Sequence, residues 1–152
     1  MFIGHLALGF AAKRAAPGTS LGVLLAASGA LDILFPLFLP AVWERMEIAS
    51  PRNPFLRASF TSYPWSHSVL FACLWAGLAG GAYWGLRRYR AGTIAVAALV
   101  VSHWVPDAVS HPQDMPLHAG DSRRAGLGFV IFHIWAGWID GRREPVTGAG
   151  VL

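Results

Sequence analysis

Residues 63–86, YPWSHSVLFACLWAGLAGGAYWGL, form an apolar run without a single Asp, Glu, Lys or Arg. Roughly 20 apolar residues in a helix cross a hydrocarbon core. Tyr63 and Trp65 at one end, and Tyr83 and Trp84 at the other, are amphipathic rings of the kind that settle at the two membrane interfaces. The run therefore reads as a transmembrane helix. Working outward, 21–42 and 91–110 are long and apolar enough to be two more spans. The first of these contains Pro36, which removes a backbone donor and predicts a kink near the far end of that span.

Shorter apolar runs lie at both ends of the chain. In 1–12 the positive charges, Lys13 and Arg14, follow the run, the reverse of a secretory signal peptide, so it reads as a retained short helix. The run 127–139 is likewise too short for a full crossing. The fold class expected is an all-α polytopic membrane bundle with three full spans and one or two shorter apolar helices. Residues 1–140 make one integral membrane domain, and 141–152 make a flexible polar tail. Composition agrees: of 152 residues 55% are hydrophobic and only 13% charged, far too apolar for an ordinary soluble domain.

The net charge of +4 does not point to nucleic acid, because the basic residues sit in short clusters beside apolar runs, as topology signals do. Arg87, Arg88 and Arg90 fill the link between the second and third spans, and Lys13 and Arg14 precede the first. Loops enriched in Lys and Arg stay in the cytoplasm, so both clusters go inside and the loop 43–62 goes outside. Cys73 is the only cysteine and has no partner for an internal disulfide.

Against this background Asp32, His67, His103 and Asp107 stand out, since each interrupts an apolar run. Ionisable groups at membrane depth are costly, usually face one another and mark a site. The topology places all four in the outer half of the bilayer, and His5 joins them if the first helix runs inward to Lys13. His103, Asp107 and His111 are spaced i, i+4, i+8 along one helical face, which Pro106 loosens locally. Histidines and aspartates converging from different helices suit zinc, or manganese or iron with more carboxylate. Such a divalent metal acidifies water, and hydrolysis is the natural chemistry.

Structural roles compete with this reading. A single intramembrane histidine is more often an interhelical tie, and Asp32 with His67 makes sense as a buried pair. His118 lies in a Pro- and Gly-containing loop and reads as solvated, and His133 has no acidic partner at i±4, so both are left out of the site. Ser66, Ser68 and Ser102 are adjacent to histidines and point away from them on a helix, so a Ser-His nucleophile is disfavoured and a supporting role for the hydroxyls is expected. A non-enzymatic bundle that handles cations or protons, or ties helices together, uses the same residues. Gathering toward one face favours the enzyme.

The stretches Phe2-Ile3-Gly4-His5-Leu6-Ala7, Ser62-Tyr63-Pro64-Trp65-Ser66-His67-Ser68 and Val101-Ser102-His103-Trp104-Val105-Pro106-Asp107, followed by His111-Pro112-Gln113-Asp114-Met115-Pro116-Leu117, resemble the YdjM-type membrane family in order and spacing over roughly 1–128. The resemblance implies a multi-helix metal-dependent hydrolase of the inner membrane with His5, Asp32, His67, His103 and Asp107 as its polar site. His67, His103, Asp107 and Asp32 are then the metal ligands, and His5 a general base or further ligand. Arg123 and Arg124 are candidates for holding an anionic substrate. Two departures bear on this. Asp32 is followed by Ile33 and Leu34 where relatives carry a second acidic residue, which argues against a two-metal site. After residue 128 the chain passes from a short apolar run into Asp140-Gly141-Arg142-Arg143-Glu144 where relatives continue with helix, so an altered C-terminus is expected.

Overall fold

A computed structural model describes residues 2–48, 58–110, 115–117 and 124–126. Among the described residues the chain is mostly helical. It runs α1 (Phe2–Ala15), α2 (Leu21–Ser28), α3 (Ala30–Phe38), β1 (Arg45–Ile48), β2 (Ala58–Ser62), α4 (Pro64–His67), α5 (Val69–Arg87), α6 (Arg90–Ser102), α7 (Trp104–Ser110), β3 (Met115–Pro116) and β4 (Arg124–Ala125). The expected 127–139 helix, the 141–152 tail, His111, His118, Arg123 and His133 lie outside the described residues.

Two helical stretches, Val69–Arg87 and Arg90–Ser110, are long and apolar enough to cross a membrane. The third expected span is not one straight helix. It is the pair α2 and α3, bent by 56°. The bend falls at Gly29, which caps α2 through its own N–H, and not at Pro36, around which α3 continues. Pro36 lies in the last turn, where few helical bonds remain to be broken; Gly29 sits where two apolar segments must point in different directions. Pro106 does what the sequence predicts. It has no N–H for the Ser102 carbonyl, and the helix breaks at His103 between α6 and α7.

The all-α expectation also needs correcting in the loop 43–62, where β1 and β2 pair antiparallel with a register shift between Arg45 and Met46. A second short pairing joins β3 to β4.

The packing has the inside-out character of a bundle in lipid. On α5, Ala72, Ala76 and Gly80 are buried at i, i+4, i+8, whereas Leu70, Leu74 and Leu78 are exposed with the same period. Lipid tails are as apolar as leucine, so what draws helices together is close backbone approach over small residues. At Gly80 an added Cβ would stand 3.1 Å from the Cβ of Ala97 on α6. At the arginine-bearing end the approach is tighter still. Thr19 Oγ1 and Tyr83 Oη share a 2.9 Å hydrogen bond, Lys13 Nζ donates to the carbonyls of Pro17 and Thr19, and Gly92 lies beneath them. A Cβ at Gly92 would collide with Thr19 Oγ1, and would meet Tyr83 Cε1 at 2.6 Å and Tyr89 Cδ1 at 2.7 Å. Gly92→Ala is therefore expected to cost about 1–3 kcal/mol of stability. Gly77→Ala, where the added methyl meets nothing within 4 Å, should be neutral or stabilising by up to about 1 kcal/mol. Unfolding of the two variants in detergent checks the contrast.

Candidate metal centre

His67 closes the one-turn helix α4, and His103 and Asp107 lie one turn apart where α6 gives way to α7. Asp32 comes from the first turn of α3, just past the Gly29 bend. These positions share one end of the bundle, and the Arg87–Arg90 turn is at the other, because α5 runs away from the site and α6 returns to it. Asp32, His67, His103 and Asp107 each offer a ligand atom, all within 4.8 Å of one another.

The individual separations are narrower. His103 Nε2 is 3.2 Å from Asp107 Oδ2 and 3.5 Å from Asp32 Oδ1; His67 Nε2 is 3.6 Å from Asp32 Oδ1 and 3.7 Å from Asp107 Oδ2. A tetrahedral ion with zinc-type bonds of about 2.0–2.2 Å spaces its ligand atoms about 3.3–3.6 Å apart. The residues fit such an ion.

The donor set fits it too. His103 Nδ1 lies 2.7 Å from the carbonyl oxygen of Ser28. A carbonyl only accepts, so Nδ1 carries a proton, and the ring turns its Nε2 toward two carboxylates. That Nε2 is buried and makes no hydrogen bond among the described residues, despite the two acidic side chains before it. Two carboxylates converging on imidazole nitrogens in a dry setting need positive charge between them, which a bound metal ion or a proton on Nε2 supplies.

Burial differs sharply around the cluster. The side chains of His103, Asp107 and His67 are 0%, 3% and 9% exposed, and that of Asp32 is 37% exposed. Asp32 is the open edge. Aromatic rings cover the loop side of the centre: Phe35 and Tyr63 stand edge-on to His67, and Trp43, Trp65, Phe71, Phe38 and Trp75 form a chain of tilted contacts anchored by Trp75 Nε1 donating to the Trp65 carbonyl. Tyrosine and tryptophan at such a position mark interfacial depth.

His5 is brought to the cluster but lies outside the four-ligand group. Its ring stacks on His103 at 3.7 Å, and its Nε2 is 3.0 Å from Asp107 Oδ1. A nitrogen and a carboxylate oxygen approach that closely only with a proton between them, so His5 and Asp107 hold a proton beside the ligand atoms. Ser28, which the sequence did not single out, supplies the carbonyl that holds a proton on His103 Nδ1. Ser68 and Ser102 bond to backbone groups as expected, but Ser66 does not point away from its neighbour: in the one-turn helix α4 its Oγ lies 2.6 Å from His67 Nδ1. The backbone of Arg124 forms part of β4, and a substrate role for its side chain lies outside the described residues.

One buried group was not singled out in the sequence. Glu44 is 2% exposed, and its Oε1 accepts the backbone N–H of Ser66 at 2.6 Å. Burial pushes this carboxyl above the usual carboxylate range, and the Ser66 contacts offset that only in part. Nothing in the sequence spacing links residue 44 to residue 66; only the β1–β2 hairpin does.

Compared with known proteins, the chain matches no protein-family model, no curated protein and no solved structure. What stands is a group of two histidines and two aspartates, at one end of a helical bundle with membrane-spanning stretches, that can hold a metal ion.

Proposed function

We propose that this chain is a metal-dependent hydrolase of the cytoplasmic membrane with its centre near the outer face, as its resemblance to the YdjM-type family implies. The observation that carries the reading is the convergence of Asp32, His67, His103 and Asp107, whose ligand atoms lie within 4.8 Å of one another, with the His103 ring oriented by its Nδ1 bond to the Ser28 carbonyl. His67, His103 and Asp107 would hold the ion as the buried triad, with Asp32 as a fourth ligand at the exposed edge, where a substrate can reach the centre. A divalent ion held there lowers the pKa of water toward neutrality and polarises the bond under attack.

The chain's own groups do the rest. The proton shared by His5 Nε2 and Asp107 Oδ1 gives His5 its acid–base role beside the ligands. Packing of His67 between Phe35 and Tyr63 keeps bulk water from the buried side. On this reading the tyrosine and tryptophan rings beside the centre sit at headgroup depth, as such rings prefer, so esters and phosphoesters of amphiphiles are the substrates to assay first. Metal content of protein extracted in detergent without chelator tests the reading. About one zinc or manganese per chain supports it, and no metal in the extract with no uptake on addition ends it.

The outer location has its own test. A reporter fused in the Arg87–Arg90 turn should be active only on the cytoplasmic side, and one fused at Arg52 only on the outer side. The opposite pattern moves the centre to the cytoplasmic face.

A further inference from the structure

The end of the bundle away from the His/Asp cluster carries a charge that no acidic residue of its own helices balances. Lys13, Arg14, Arg87, Arg88 and Arg90 gather there, while neither 1–31 nor 68–102, the stretches that supply α1, α2, α5 and α6, contains an Asp or Glu. Two of these cations are already committed. Lys13 Nζ donates to the carbonyls of Pro17 and Thr19, and the Arg88 guanidinium lies over the Trp84 ring, 5.6 Å from its centroid. Arg14, Arg87 and Arg90 are exposed.

Arg14 and Arg90 also flank a cleft. The residues that follow them, Ala15 at the end of α1 and Ala91 near the start of α6, stand at one end of a cleft of about 430 Å³ between these two helices, and Leu8 and Ser102 stand at the other. Its wall is apolar, because the Ser102 hydroxyl is spent on the Leu99 carbonyl. The helix from Ala91 to Ser102 rises about 16 Å at 1.5 Å per residue, and half of a hydrocarbon core is about 15 Å. The cleft therefore has the length of an acyl chain in one leaflet, with cations at its surface end. Any lipid tail could wet an apolar wall, so the cleft alone selects nothing. The arginines supply the choice.

We infer that the cleft between α1 and α6 binds one anionic phospholipid, with its phosphate held by Arg14 and Arg90 and one acyl chain laid along Ala12, Ile94 and Ala98. Basic clusters beside a membrane helix attract anionic headgroups, and a pocket between helices makes the attraction specific. The bound chain covers the seam between the helix that carries His5 and the helix that leads into His103, and so braces the first helix against the sixth. The inference needs no metal and no choice of orientation, only that the arginine end lies at a bilayer surface.

Full-length protein stripped of lipid in detergent, titrated with phosphatidylglycerol or with phosphatidylcholine of the same acyl chains, tests it, with bound lipid counted by native mass spectrometry. One phosphatidylglycerol should bind ahead of all others and about tenfold tighter than phosphatidylcholine. Arg14→Gln and Arg90→Gln should each weaken it about fivefold, whereas Arg87→Gln, on a helix that contributes nothing to the cleft wall, should leave it unchanged. Ala98→Phe, at an exposed position in the wall, should fill the cleft and abolish tight binding. Ile94→Ser, at a wall position 59% exposed, should weaken it and serves if the phenylalanine variant melts early without lipid. Equal binding of the two lipids, or an equal loss in Arg87→Gln, would reduce the arginines to a diffuse surface charge and overturn the site. Full competition by glycerol phosphate, which has the anion and no tail, overturns it too, as do unchanged affinities in folded Ala98→Phe and Ile94→Ser.

Discussion

Replacing His103 with alanine is expected to take the purified protein from about one divalent ion per chain to none, and any hydrolytic activity with it. The ring is oriented by its Nδ1 bond to a backbone carbonyl, and its Nε2 lies 3.5 Å or less from both carboxylates. Removing it leaves Asp32 and Asp107 facing each other with a single imidazole nearby. Stability will fall too, so it decides nothing by itself. Tyr83→Phe supplies the control: it deletes the 2.9 Å bond to Thr19 at the opposite end of the bundle, costs about 1 kcal/mol, and should leave the metal in place. Equal metal loss in both variants would mean that the ion responds to general loosening and not to its ligand.

The second large effect is thermodynamic. A ligand that binds only the folded state stabilises it by about 4 kcal/mol at a thousand times its dissociation constant. Zinc or manganese at such an excess should raise the melting temperature of the wild type accordingly and leave Asp107→Ala unmoved. Asp107 is the natural site for this test because it is 3.0 Å from His5, 3.2 Å from His103 and 3.7 Å from His67. If the same groups were only an interhelical ionic network, the pattern would reverse. Asp107→Ala would then cost about 3–5 kcal/mol, the usual penalty for stranding a buried partner, and added metal would stabilise neither protein.

The cluster itself was legible in the sequence because membrane depth makes ionisable residues conspicuous: Asp32, His67, His103 and Asp107 are noticeable only against apolar neighbours, and the positive-inside rule sends them to one end. The break at His103 was legible as well, from a proline placed where it empties a helical bond. The bend at Gly29 was not, because Pro36 is the stronger local signal and a glycine between apolar helices is uninformative until their directions are known. The β1–β2 hairpin has no clear alternation to announce it, and it carries Glu44 to Ser66. A bond that joins the Glu44 carboxylate to the Ser66 N–H has no periodicity, so pattern reading passes it over. Every ligand atom comes from a side chain that breaks a pattern, whereas its supports come from side chains and carbonyls that break none.

The stacking of His5 on His103, with its bond to Asp107, carries a consequence for biogenesis. His5 precedes Asp107 in the chain by 102 positions. The carboxylate therefore meets its first-helix partner only after the whole bundle has been threaded into the bilayer. Until then each half-made site is an isolated imidazole or carboxylate with a weak hold on any cation. On the proposed metal reading, capture of the ion is a late event that reports completed insertion, and a nascent chain stalled before α7 would be left empty and open to quality control.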